Sequence, residues 1–86
     1  MTSVELLHQA TALAKQLNYE IVEDWLGGEG SGHCLLRGRK LILLDLAQTP
    51  EEQLEVIRTA LRGERHLDRA EMSNELAAQL DVRSVA

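Results

Sequence analysis

The chain has 86 residues, 44% of them apolar, with a net charge of −5, enough for one domain and too little for two. Phe is absent, and Trp25 and Tyr19 are the only aromatic residues, so the core is expected to be built from Leu, Ile, Val and Ala. The acidic balance repels phosphate backbones and argues against nucleic acid as a partner. The longest apolar run, Leu41 to Leu44, is too short to span a bilayer.

The first element is a helix over residues 3–17. Thr2 and Glu5 have capping-box spacing. Leu6, Ala10, Leu13 and Leu17 recur every three or four residues, with Leu7 and Ala14 widening the stripe. Asn18 suits the left-handed backbone that ends a helix. Residues 19–26 then read as an edge or half-exposed strand, rich in types that suit a pleated surface, with Ile21, Glu23 and Trp25 on one face. Trp25 is expected in the core; an exposed Trp here would mark a contact site.

A glycine-rich loop follows, Gly27-Gly28-Glu29-Gly30-Ser31-Gly32. It lacks the lysine, the hydroxyl and the following helix of a phosphate loop, and its glycines do not fit the dinucleotide fingerprint. Glu29 would repel an anion. The loop is therefore read as a set of tight bends, or as a place where a small ligand or a partner docks. The candidate contact residues are Trp25, Gly28, Glu29, Gly30, Ser31, Gly32 and His33.

Residues 33–37 and 40–46 form two strands joined through Arg37-Gly38-Arg39, with glycine where a tight hairpin needs positive φ. Adjacent residues of a strand face opposite ways, so His33 and Cys34 cannot readily share a metal ion. His8 and His66 lie far along the chain, and no metal or other cofactor is expected. Cys34, the single cysteine, is expected to be a small buried hydrophobe if Leu36 faces the core. It leaves no intrachain disulfide, which fits a reducing, cytoplasmic compartment. Arg37, Arg39 and Lys40 are read as solubilising the strand ends.

The last strand, Leu41-Ile42-Leu43-Leu44-Asp45-Leu46, is apolar on both faces, so both need cover. Asp45 is a candidate functional carboxylate. It could be hydrogen-bonded to the loop or the next helix start, paired with Arg37 or Arg39, or turned to solvent; buried and alone it would be costly.

A helix starts at Thr49-Pro50-Glu51-Glu52, with Thr49 as cap, Pro50 at the first helical position and Glu52 completing the box. Leu54, Ile57, Ala60 and Leu61 form its buried stripe, and Gly63 ends it. A further helix is expected from Asp68, with Asp68 and Glu71 as capping box and Leu67 and Met72 as hydrophobic staple. Ala70, Leu76, Ala77 and Leu80 would face the core, and residues 81–86 would fray.

The expected fold is α+β, a three-stranded antiparallel sheet with flanking helices in the order α-β-β-β-α-α, with residues 1–80 as one domain. The block from Leu26 to Arg39, continuing through Leu44-Asp45-Leu46, resembles a segment of small bacterial proteins sharing the pattern GGxGxGxCxLRG…LLDL. That likeness implies no activity and no catalytic residues. A fold-level likeness to the small zinc metallopeptidases that cleave phage repressors implies none either, because the helix after the sheet, Glu51 to Arg58, holds no histidine where they carry H-E-x-x-H. The functional expectation is a non-enzymatic interaction or regulatory module that pairs with itself through the sheet or the hairpin edge. The alternative is a ligand binder or cofactor-free enzyme built on the glycine loop.

Overall fold

The structure is a computed structural model that describes residues 2–64, 67 and 72–80. Helix α1 (Ser3–Gln16) leads into β1 (Tyr19–Asp24), β2 (Gly32–Leu36) and β3 (Arg39–Asp45), followed by α2 (Pro50–Arg62) and α3 (Asn74–Gln79). The order is the expected α-β-β-β-α-α.

Local chemistry sets the helix boundaries. Thr2 accepts a hydrogen bond from the Glu5 amide at the start of α1. Asn18, at φ 70°, turns the chain out of that helix into β1. Both halves of the capping box form at α2: the Glu52 amide donates to Thr49 Oγ1 and the Thr49 amide to Glu52 Oε1. Leu6, Ala10, Leu13 and Ala14 of α1 and Leu54, Ile57, Ala60 and Leu61 of α2 are buried as the periodicity implies.

The sheet is mixed, which corrects the antiparallel expectation. Its order is β1-β3-β2, with β3 antiparallel to β2 and parallel to β1. The chain reverses twice, once through the glycine loop and once through the hairpin, so β3 returns in the direction of β1. The central place falls to the strand that is apolar on both sides, while β1, with three carboxylates in six residues, takes an edge.

The hairpin turns on two residues, Arg37 and Gly38, at φ 51° and 79°. Positive φ at both is the signature of a type I′ turn, whose twist matches that of the strands. A left-handed conformation costs an ordinary L-residue about 1–2 kcal/mol, and Asn tolerates it better. Arg37→Asn should therefore raise stability by up to about 1 kcal/mol, read as a higher urea midpoint at unchanged slope.

The core lies on one face of the sheet. Ile42 and Leu44 of β3 are buried against α1 and α2, with Tyr19 and Ile21 of β1 packed beside them. The third helix packs on α1: Ser73 caps it by accepting from the Leu76 amide and donates to Gln9 Oε1 at 2.6 Å. It spans Asn74–Gln79. Leu67, Leu76 and Leu80 are buried and Met72 is packed against the core, whereas Ala77 is only half-buried. The expected cap at Asp68 and Glu71, the contact of Ala70 and the tail from Asp81 lie outside the described residues.

The other face of the sheet is open. Register places Val22 of β1, Leu41 and Leu43 of β3, and Cys34 and Leu36 of β2 on it. Val22 is 42% and Leu36 56% exposed, and Leu41 and Leu43 are half-buried. Arg39 and Glu20 rim this face as an ion pair at 2.6 Å. Asp45 shares this face by register and is buried under the glycine loop, so among the described residues the helices cover one side of β3 and the loop covers only the end of the other.

Candidate functional site

The glycine loop is closed around a carboxylate. β1 and β3 run in parallel and end together at Asp24 and Asp45, which puts the buried Asp45 side chain under the loop that leaves β1. Its Oδ1 accepts from the amides of Leu26 and Ala47, each at 2.9 Å; its Oδ2 accepts from the amides of Gly28 and of Gly30, the latter at 3.1 Å. Of the alternatives open in the sequence, Asp45 takes the loop. Arg39 pairs with Glu20 instead.

The glycines are matched to this closure. Gly27 and Gly28 sit at φ 87° and 95°, and a Cβ on Gly30 would stand 2.3 Å from Leu26 Cβ. Ser31 and Gln48 secure the far side. The Asp45 amide donates to Ser31 Oγ at 2.8 Å, the Ser31 hydroxyl donates to Gln48 Oε1, and Gln48 Nε2 donates to the Gly28 carbonyl at 3.0 Å.

This arrangement sets the chemistry of Asp45. Burial pushes its carboxyl up, but the amides of Leu26, Ala47, Gly30 and Gly28 together outweigh that and hold it below the ordinary aspartate value. A carboxylate with two donors on each oxygen is a poor proton acceptor, and three loop amides that could have met an anion are turned onto it. The chain supplies its own anion to its own nest.

The remaining sequence candidates are dispersed. Trp25 is 71% exposed beside the loop, which corrects the expected core position: the strand ends at Asp24, and the Trp25 amide bonds the Asp24 side chain at 2.8 Å as the chain leaves the sheet. Cys34 is exposed, correcting its expected burial, because Leu36 shares the open face with it. Glu29 is exposed, while Gly28, Gly30, Ser31 and Gly32 are half-buried. His33 is exposed and pairs with Ile42, on the opposite face from Cys34. His66 lies outside the described residues. No group of three His, Cys, Asp or Glu side chains among the described residues is placed to hold a metal ion, and no described helix is long and apolar enough to cross a membrane.

The chain matches no protein-family model, and no curated protein or solved structure matches it.

Two further features were not singled out from the sequence. An open cleft of about 290 Å³ lies between α1 and the sheet, lined by His8, Thr11 and Lys15 of α1, Glu23, Leu44 and Gln53. The spacing 8, 11, 15 was a legible signal, a polar stripe beside the buried one. Two of its polar groups already serve the fold: Thr11 donates to the Leu7 carbonyl and Gln53 to the Gln48 carbonyl. At the other end of the sheet, Lys40 Nζ stands 3.0 Å from Glu64 Oε2 and 4.5 Å from the Tyr19 ring centroid. The Tyr19 hydroxyl lies 3.3 Å from the same oxygen, and burial, then the Glu64 charge, push its pKa up. This cluster ties the strands to the end of α2.

Proposed function

We propose that the chain is a non-enzymatic interaction module that works as a pair of identical copies joined through its sheet. The observation that carries the reading is the uncovered side of the sheet, where Val22, Leu36, Leu41 and Leu43 form an apolar surface with no described element over it. Apolar surface gathered on one face of a small domain favours association, and a second copy is a common way to enlarge a small core. At the glycine loop the polar groups are already engaged with one another, which agrees with a binding role. Asp45 and its three loop amides bond one another, so neither the carboxylate nor those amides are free to act on a ligand.

Sedimentation velocity across a wide concentration range tests this. The expected result is a species of twice the 9.6 kDa subunit mass that grows with concentration. A 9.6 kDa particle at every soluble concentration would remove the proposal.

A further inference from the structure

Resting on the reading of the chain as a self-pairing module, we propose how the copies meet: edge to edge through β2, antiparallel, about a two-fold axis at Cys34. The two sheets then join into one of six strands. The hairpin dictates which backbone groups are free. The turn closes Leu36 onto Arg39 as a hydrogen-bonded pair. Bonded and non-bonded pairs alternate along an antiparallel ladder, so Cys34–Leu41 and Gly32–Leu43 are bonded as well. The N–H and C=O groups of His33 and Leu35 point away from β3, along the free edge of the sheet.

A second β2 fits that edge in one full register. Pairing His33 with Leu35 of the second copy, and Leu35 with its His33, engages all four outward groups of each strand. Cys34 then lies opposite Cys34 as the non-bonded pair on the axis, and Leu36 lies opposite Gly32, whose missing side chain leaves open space there. Leu35 and Leu36, 71% and 56% exposed, flank the axis on the two faces of the sheet, so pairing covers the most exposed aliphatic side chains of the strands. Arg37 falls opposite Ser31 of the second copy, in the loop that carries the exposed Glu29, which brings opposite charges together.

The two edges of the sheet differ in their protection. β1 carries Glu20, Glu23 and Asp24, and two such edges would repel. β2 has no formal charge and no proline, the usual devices against edge pairing. Five residues make a small contact, so the association is weak and set by concentration.

Oxidation with diamide tests the register. Two Cys34 thiols give up two electrons and two protons to one diamide, which leaves as the hydrazine, and one intermolecular disulfide forms. Opposed Cα atoms of a non-bonded pair stand about 4.5 Å apart, within the roughly 4.4–6.8 Å that a disulfide spans. Wild type is expected to cross-link at Cys34, and Leu35→Lys, an exposed position that keeps Cys34, is expected to cross-link at least tenfold more slowly and to sediment as a monomer. In Cys34→Ser/Leu36→Cys the two new thiols sit about 13 Å apart along the strands and are expected not to cross-link. Self-association that survives Leu35→Lys, or equal cross-linking from position 36, overturns edge pairing at this register while leaving the self-pairing module intact. A monomeric wild type overturns both.

Discussion

Asp45→Asn is expected to lower the urea midpoint at pH 7 and to remove much of the acid sensitivity of the fold. The substitution keeps the size of the side chain and replaces one oxygen with an amino group. Where the carboxylate accepts two amides on each oxygen, the amide side chain sets its own donors against two of them. Either Leu26 and Ala47 or Gly28 and Gly30 lose their acceptor, and the loop opens toward water to satisfy them. The sign of the pH effect follows from linkage. The folded carboxyl titrates below the unfolded value of 3.8, so its contribution is complete above that value and is lost as pH falls through the folded one. Wild type should lose stability as pH drops below the unfolded value of 3.8. The variant should be flatter over that span. A residual slope is expected from Glu51, whose carboxyl its own amide and the Ser3 side chain hold low. Far-UV circular dichroism in urea at several pH values reads the difference, because Trp25 is already exposed in the native state and reports unfolding poorly. Parallel pH profiles for the two proteins would show that the loop does not depend on the charge.

What the sequence disclosed and what it withheld divide along the range of the interactions. Thr49, Pro50 and Glu52 act within one helical turn, and Arg37 and Gly38 within one reversal, so α2 and the hairpin could be read from neighbours in the chain. The pairing of β1 with β3 joins residues some 20 positions apart, and no local pattern distinguishes a parallel partner from an antiparallel one. The faces of β2 are hard to read for a related reason. Burial of Cys34 is expected only if the apolar Leu36, which shares its face, points to the core. Yet β2 is an edge that the helices hardly cover, and even Leu35, on the helix side, is 71% exposed. The sequence offers the loop as one of several fates for Asp45 and does not choose among them, because the donors are backbone amides, which leave no trace in residue identity. The available signal was Gly28 and Gly30 two apart, with Ser31 beside them, followed by a carboxylate inside an otherwise apolar strand. That combination is better explained by a chain capping its own loop than by a binding site awaiting an anion.

Ile42→Ala and Leu43→Ala, neighbours in β3, are expected to differ several-fold in cost. Ile42 has no exposed surface and lies between the sheet and both long helices. Its truncation leaves a cavity that packed helices cannot close, at about 2–5 kcal/mol. A domain of this length has a total stability of only about 4–13 kcal/mol at the usual per-residue value, so the variant should unfold at far lower urea and be partly unfolded near body temperature. Leu43 sits one residue on and faces the open side. Its truncation removes half-buried surface and leaves no enclosed void, at about 1 kcal/mol or less. Measured on dilute protein, the ratio of the two losses reports how much cover each side of the central strand has within one subunit. Equal losses would mean that the open side is covered by the subunit itself, and the physical reason for a second copy would vanish. A large ratio would mean that one subunit leaves this side of the central strand without cover.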